Sequence, residues 1–173
     1  MFAHLTPKMR RVLHEYAENR LVYDLGAGDC KLARQVAKYA RSVFAVDPKI
    51  SGRLRADGNI VYIPWTFDNF MHGVDPPCEV ALVSWPPNND RAMQTLLPIL
   101  AQSAVVIYIG CNTDGTACGT PDLFRYFARR ELLAEIPNRR NTMLVLGAPC
   151  AGRPLTHEEH AGLDDSVVHL YSF

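Results

Sequence analysis

The sequence has no long apolar run, no excess of charge of one sign and no leader-like start. None of its apolar runs approaches the ~20 residues of a membrane-spanning helix, so neither a transmembrane segment nor a membrane partner is expected. Lysine plus arginine and aspartate plus glutamate balance at 18 each, which excludes a global electrostatic attraction to nucleic acid or to an anionic membrane. The first residues lack the basic-then-apolar order of a signal peptide.

The sequence also lacks any pairing pattern among its five cysteines. No two of them form a C-x-x-C pair, so neither a disulfide framework nor a structural zinc site is predicted. Reduced thiols in a cytoplasmic protein are expected instead. His157 and His160 stand three residues apart, whereas the H-E-x-x-H zinc motif needs four. A capped, solvated helix is therefore predicted there, and no metal site.

What the chain does have is a regular alternation of apolar runs and helical patterns along its 173 residues. Runs such as VYDL, SVFAVD, NIVYIP, EVALVSW and AVVIYIG predict buried strands. Alternation of this kind indicates a parallel sheet covered on both faces. The last two runs, NTMLVLGA and SVVHLYSF, have only a short helical segment between them, which predicts an antiparallel strand at the end. The predicted fold is a doubly wound α/β domain spanning residues 1–173, with a mostly parallel sheet of seven strands and helices on both faces.

Helix-start signals mark two of the helical segments. Thr6 and Pro7 predict the cap and first residue of a helix that extends to residue 20. Thr120 and Pro121 predict the same for the segment TPDLFRYFARR. The segment SGRLRAD, in contrast, predicts only a short helix or a turn.

The first predicted strand ends in a glycine turn, DLGAGDC, at residues 24–30. Ligands of an open α/β sheet bind beyond the carboxyl ends of its strands, and Gly26 and Gly28 would let a ligand approach the backbone closely. A dinucleotide fingerprint requires a third glycine at the position of Lys31, and no G-K-[ST] follows to make a phosphate-binding loop. Asp47 ends the second strand, where a carboxylate can accept both hydroxyls of a ribose. The glycine turn and Asp47 together predict a nucleoside-binding site. The alternative is that the two glycines simply form a turn and that Asp47 caps the next turn.

The stretch VYDLGAGDCKLARQVAKYARSVFAVDPK resembles the first two motifs of class I S-adenosylmethionine-dependent methyltransferases, a family with a Rossmann-like fold. The family often has a third glycine where this chain has Cys30. The resemblance implies S-adenosylmethionine as cofactor, with Asp47 on its ribose. HLTPKMRRVL resembles the Thr-Pro segment that packs over the cofactor in several branches, which implies a place there for Thr6. The residues implied beside the methionine part are Asp24, Gly26, Ala27 and Gly28.

In this family the third strand ends in residues that contact the adenine. Here IPWTFDNF offers Trp65, Thr66, Phe67 and Asp68 at that position. The resemblance implies that Trp65 or Phe67 stacks on adenine and that Asp68 accepts its amino group, with Thr66 among the cofactor-binding residues. The alternative is that both aromatic rings belong to the core.

The fourth strand runs into SWPPNN, whose two prolines cannot continue a central strand. This segment resembles the [DNS]-P-P-[YFW] motif of enzymes that methylate amino nitrogens. In that motif a polar group and the backbone carbonyl between the prolines accept hydrogen bonds from the target amine. They direct the nitrogen lone pair toward the methyl group, so placement matters more than a strong base. Aligning the prolines puts Trp85 where the motif has its polar residue and Asn88 where it has its aromatic. The acceptor loop predicted in this way consists of Ser84, Trp85, Pro86, Pro87 and Asn88, with Ser84 also touching the cofactor.

The sequence thus predicts a methyltransferase that moves a methyl group from S-adenosylmethionine to an amino nitrogen of a nucleic-acid base or a protein side chain. The acceptor is not identified, and a partner subunit is one route to its recognition. The alternatives are a non-catalytic S-adenosylmethionine-binding module that needs a partner, and an unrelated nucleoside- or nicotinamide-binding enzyme. Five cations are candidates for a nucleic-acid-binding border: Lys8, Arg10, Arg11, Arg139 and Arg140. The other interpretation is that they are solvated surface charges.

Overall fold

A computed structural model of the chain describes residues 5–73, 78–111, 118–138 and 141–149. The strands are β1 (Leu21–Leu25), β2 (Ser42–Val46), β3 (Arg55–Asp57), β4 (Ile60–Ile63), β5 (Val80–Ser84), β6 (Val105–Gly110), β7 (Arg130–Pro137) and β8 (Thr142–Pro149). The helices are α1 (Pro7–Ala17), α2 (Lys31–Val36), α3 (Phe67–Gly73), α4 (Asp90–Ala101) and α5 (Pro121–Phe127). No helix in these ranges is long and apolar enough to cross a bilayer.

The strands form one sheet in the order β3-β4-β2-β1-β5-β6-β8-β7. The five strands from β4 to β6 in this order run parallel to one another. In contrast, β3 is antiparallel to β4, and β8 is antiparallel to both of its neighbours. The predicted α/β sheet is therefore confirmed, whereas the antiparallel strand predicted at the end of the chain falls on residues outside the described ranges.

The prediction of seven strands is wrong, because the described residues alone contain eight. The sequence did not reveal β3, which replaces the predicted short helix or turn, because all three of its residues are exposed. It did not reveal β7 either: six of its eight residues are at least partly exposed, without a regular alternation. Among the described residues, β7 lies at the end of the sheet and pairs with β8 alone. The run SVVHLYSF and the helical segment before it lie outside the described residues.

Successive residues of the central strands alternate between two buried clusters. Val22 of β1 belongs to one cluster, together with Met9 of α1 and Ala33 of α2. The neighbouring Tyr23 belongs to the other cluster, which also contains residues of α3, α4 and α5, such as Leu96. Because successive side chains of a strand point to opposite faces, the two clusters lie on opposite sides of the sheet. All five residues of β1 are accordingly buried.

The two predicted helix caps differ in the structure. The Oγ1 atom of Thr6 accepts a hydrogen bond from the Met9 backbone N–H at 3.2 Å, and Pro7 is the first residue of α1. Thr120 also precedes its helix with an extended backbone, but its side chain makes no capping hydrogen bond. Its hydroxyl is buried without a hydrogen-bond partner among the described residues, so the predicted capping role of Thr120 is wrong for its side chain.

Arg130, the first residue of β7, is buried and only 3% exposed. Its guanidinium donates hydrogen bonds to acceptors from three surrounding elements and the turn between α4 and β6. The Arg130 side chain therefore links α4, α5, β7 and β8 by hydrogen bonds. None of its described hydrogen-bond acceptors is a carboxylate. The acceptors are the carbonyl oxygens of Leu100, Ser103, Ala104 and Gly147 and the hydroxyl of Tyr126.

Candidate functional site

The segments that the sequence marks as functional meet at one edge of the sheet. Each follows the carboxyl end of a strand: the glycine turn follows β1, Asp47 follows β2, residues 64–68 follow β4, and the proline segment follows β5. These four strands are neighbours in the order β4-β2-β1-β5. The structure therefore brings the four segments together as the sequence predicts.

The glycine turn needs its glycines. Gly26 and Gly28 have φ angles of +82° and +53°, in the left-handed region that side chains other than glycine rarely adopt. Cys30 has φ +59°, so a residue with a β-carbon occupies a conformation that favours glycine. A β-carbon added at Gly28 would meet no atom within 4 Å. The space above the turn is thus open to a ligand.

Asp47 anchors the glycine turn to the end of β2. Its Oδ2 atom accepts the Gly28 N–H at 2.9 Å, and its Oδ1 atom accepts the Lys49 N–H at 2.7 Å. The side chain is mostly buried, with 9% of the residue exposed. Each carboxylate oxygen has a second lone pair, so Asp47 can accept further hydrogen bonds from a ligand.

Asp24 lies fully buried beneath the turn. Burial raises the pKa of this carboxyl from 3.8 to about 7, and the nearby carboxylate of Asp47 adds to the rise, while the backbone N–H of Ala33 opposes it. Neither carboxylate oxygen has a hydrogen-bond partner in good geometry within the described residues. Asp24 is therefore a carboxyl group that the fold keeps from ionising easily.

We expect Asp24 to make stability fall as pH rises. Between its unfolded pKa of 3.8 and its folded pKa of about 7, the folded state holds a proton that the unfolded state has released. Relative to Asp24→Asn, which cannot titrate, the wild-type free energy of unfolding should drop by about 2 kcal/mol between about pH 5 and pH 7. Urea unfolding of the wild type and of Asp24→Asn between about pH 5 and pH 7 measures this difference in the free energy of unfolding. A constant difference would show that Asp24 does not titrate there.

Two adjoining cavities open at this edge of the sheet. Cavity A, of about 750 Å³, lies between α3 and α4 and is lined by Asp47 and Thr66 among others. Cavity B, of about 730 Å³, lies over the glycine turn and is bordered by Leu5 and by residues of α2. The walls that both cavities share are Gly26, Lys49, Ser84 and Trp85.

The backbone conformation of Trp85 ends strand β5. Its φ of +51° is unusual for a residue with a bulky side chain, while its backbone N–H still bonds to the Ile109 carbonyl of β6 at 2.8 Å. The left-handed conformation ends the strand immediately before the prolines. The indole packs partly buried against the core, lines both cavities, and has a buried N–H without a hydrogen-bond partner in the described part of the chain.

The proline segment is held by its own backbone and by a distant loop. The Pro86 carbonyl accepts the Gly119 N–H at 2.9 Å, and the Pro87 carbonyl accepts the Asn89 N–H at 3.0 Å. Asn89 also caps α4 through its side chain. The oxygen between the two prolines, which the sequence assigned to the acceptor amine, is thus already engaged by Gly119. Neither Gly119 nor its role was foreseen.

The other predicted residues divide into those that line a cavity and those that do not. Thr66 and Asp68 line cavity A, as does Phe67, whose Cζ atom would lie 3.9 Å from a β-carbon at Gly26. Trp65 and Phe67 both pack partly buried against the core, but Trp65 does not belong to either described cavity wall. The described cavity walls do not include four of the predicted residues: Thr6, Asp24, Trp65 and Asn88.

Several wall residues were not predicted. Lys49 stands two residues after Asp47 and lines both cavities, and Leu5 precedes the Thr-Pro segment. The sequence signal that could have indicated these two residues is their position beside Asp47 and Thr6, which the motifs include. No group of three metal-ligating side chains occurs within the described ranges, and His157 and His160 lie outside them.

Comparison with known proteins identifies this architecture. No protein-family model and no curated protein matches the sequence. A ribosomal protein L11 methylase from Lactobacillus delbrueckii subsp. bulgaricus is 17% identical with a TM-score of 0.61, over 86% of this chain and 81% of that one. The chain has a Rossmann-like methyltransferase fold.

Two further solved structures share the methyltransferase fold. An rRNA methylase from Streptococcus thermophilus is 13% identical with a TM-score of 0.60, over 84% of this chain and 98% of that one. A candidate methyltransferase from Streptococcus mutans, solved in complex with SAH, is 10% identical with a TM-score of 0.57, over 83% and 98% of the two chains. The predicted resemblance to class I methyltransferases is confirmed at the level of the fold.

Proposed function

We propose that this chain is a methyltransferase that binds S-adenosylmethionine at the two cavities and transfers its methyl group to an amino nitrogen. The observation that carries the proposal is the clamp between Asp47 and the glycine turn, with Gly28 N–H bonded to the carboxylate at 2.9 Å. It places a carboxylate acceptor and an open glycine turn at adjoining cavities. A nucleoside joined to an amino-acid chain requires this combination. The methyltransferase fold supports it.

Cavity A suits the adenosine part. The free lone pairs of Asp47 would accept the two ribose hydroxyls. Phe67 would provide the ring against the adenine, and Asp68 the acceptor for its amino group, because both line the cavity whereas Trp65 does not. Stacking on such a ring is typical of nucleobase sites. We therefore assign the adenine contact to Phe67 and leave Trp65 in the core.

Cavity B suits the methionine part. The backbone at Gly26, Ala27 and Gly28 lines it, and the open space above Gly28 leaves room for the amino-acid chain. Asp24 lies below this turn, without lining the cavity. Its buried carboxyl would act from a distance, since a cation above the turn would favour its ionised form.

The reaction requires placement of the acceptor more than acid or base chemistry. When bound, S-adenosylmethionine supplies an electrophilic methyl group on a sulfonium. The amine lone pair forms the new nitrogen–carbon bond as the sulfur–carbon bond breaks, and the amine proton leaves to water. Ser84 lines both cavities, so its hydroxyl can accept a hydrogen bond from the amine and orient it. Trp85 would form the wall against which the acceptor packs, and Pro86 and Pro87 would keep that wall rigid.

A second candidate function is cofactor binding without catalysis. The observation that favours it is the bond from Gly119 N–H to the Pro86 carbonyl at 2.9 Å, which takes one of the two lone pairs of an acceptor that the amine would use. Asn88, at the place of the motif's aromatic ring, is exposed and outside both described cavity walls. Such a module would need a partner to complete the acceptor site.

Calorimetric titration tests the proposed cofactor. S-adenosylmethionine should bind saturably at one site per chain, at least about tenfold more tightly than NAD, because Lys31 replaces the glycine that a pyrophosphate needs. Tighter binding of NAD would favour a nicotinamide-dependent enzyme instead. Transfer of a labelled methyl group to an amine substrate then distinguishes the enzyme from the non-catalytic module, which would bind the cofactor without turnover.

A further inference from the structure

Cavity B has a basic border although the chain as a whole carries no net charge. Lys31 and Arg34 of α2, Lys38 in the following turn and Lys49 after β2 all line it. All four residues are exposed. We call these four residues the basic rim. Asp29 is the single carboxylate among the described residues of this wall.

The positive charge of the rim is largely uncompensated. Asp29 pairs with Lys31 at 2.8 Å, and Arg34 donates to the Asp29 carbonyl, which is neutral, at 2.8 Å. The ion pairs found in the described part of the chain do not include Arg34, Lys38 or Lys49. Arg34 also interacts with the Asp29 carboxylate at longer range. Four cations thus share a single carboxylate of the described wall, and the excess of positive charge at a concave surface attracts an anion with several charges.

The same cavity offers an apolar face beside the cations. Trp85 and Leu5 line it, and the indole is partly exposed. A cationic groove with an aromatic ring is the arrangement by which proteins hold single-stranded nucleic acid, the phosphates lying on the cations and a base stacking on the ring. An acidic peptide would satisfy the cations but would leave the ring unused.

We propose that the basic rim, at the outer border of cavity B, binds the phosphates of a single-stranded nucleic acid, one base of which enters beside Trp85. The part of the cavity over the glycine turn is left to the methionine part of the cofactor. The proposal rests on the proposed function, because it makes that base the carrier of the methyl-accepting nitrogen. The four residues of the basic rim are not the five cations that the sequence offers as candidates for nucleic-acid binding. Lys8, Arg10 and Arg11 are exposed on α1 but outside both described cavity walls, and Arg139 and Arg140 lie outside the described residues.

Fluorescence anisotropy with a labelled single-stranded RNA about a dozen nucleotides long tests the proposal. The titration is repeated between about 50 and 200 mM salt for the wild type, for Arg34→Gln/Lys38→Gln, and for the charge-matched control Lys8→Gln/Arg11→Gln. Loss of two phosphate contacts should weaken binding on the order of tenfold and reduce the slope of log affinity against log salt by about 1.4. The control should retain the wild-type slope. A polyglutamate peptide should bind weakly to all three proteins.

Each other result would overturn the proposal. No RNA binding by the wild type would remove its basis, and equal losses in both double variants would indicate non-specific attraction. Polyglutamate binding as tight as RNA would indicate an acidic protein partner. Calorimetry with S-adenosylmethionine on the same proteins keeps the two proposals apart. If Arg34→Gln/Lys38→Gln lost affinity for the cofactor and not for RNA, the rim would be assigned to the cofactor's carboxylate. If RNA bound as expected but S-adenosylmethionine did not bind to the wild type, only the proposed function would be overturned.

Discussion

Asp47→Ala is expected to weaken S-adenosylmethionine binding by at least about 100-fold. Hydrogen bonds to a charged acceptor contribute about 1.5–3 kcal/mol each, and the proposed ribose contact has two. The substitution also removes the acceptor that holds the Gly28 N–H at 2.9 Å and the Lys49 N–H at 2.7 Å. Both the ligand contact and the shape of the glycine turn therefore depend on this carboxylate. Calorimetric titration of purified wild type and variant measures the effect.

Two further variants separate the charge of Asp47 from its shape. Asp47→Asn keeps one acceptor oxygen and the size of the side chain, so an intermediate loss of about tenfold is expected. Asp57→Ala removes an exposed carboxylate of β3 and should bind the cofactor as the wild type does. Urea unfolding confirms that each variant is folded before titration. Unchanged affinity in a folded Asp47→Ala protein would contradict the assignment of the ribose to this carboxylate.

Arg130→Met is expected to lower the free energy of unfolding by about 3–5 kcal/mol, because it leaves buried acceptors without their donor. The acceptors include the carbonyl of Ser103, beyond α4, and that of Leu100 in the last turn of α4, which also accepts the Ser103 N–H at 3.1 Å. Carbonyl groups at the end of a helix have no partner within the helix, and their dipoles favour a cation. The guanidinium thus satisfies groups that water cannot reach. Urea unfolding monitored by circular dichroism gives the value.

The neighbouring arginine is the matched control. Arg129→Met changes the same side chain one residue earlier, at a half-buried position, and should alter stability by no more than about 0.5–1 kcal/mol. Arg130→Lys keeps the charge but offers fewer donors, so an intermediate loss is expected. A loss below about 1 kcal/mol for Arg130→Met would mean that the buried carbonyls find other partners.

The parts of the fold that the sequence predicts are those with local causes. The apolar run of β1, the glycines after it and the position of Asp47 each follow from short-range rules, and the structure places them as expected. β3 has three exposed residues and no apolar pattern, so only its pairing with β4 makes it a strand. Tertiary contacts of this kind do not appear in a short sequence window.

The candidate site likewise contains features that follow from the local sequence and features that depend on tertiary contacts. The sequence places an aromatic residue at the end of β4, but the choice between Trp65 and Phe67 depends on where α3 begins and how it packs. The occupied carbonyl of Pro86 could not be foreseen either, since its partner Gly119 is far away along the chain. The left-handed backbone of Trp85 could not be predicted from the sequence, because a residue that precedes proline normally adopts an extended conformation.

The indole of Trp85 stands between cavity A and cavity B as a common wall. In the proposed function S-adenosylmethionine occupies both cavities and the methyl acceptor packs against this ring. A change in the preferred position of the ring when the donor binds therefore changes the affinity for the acceptor, and by thermodynamic reciprocity the acceptor changes the affinity for the donor by the same factor. A single side chain would in this way couple the binding of the methyl donor to that of its acceptor.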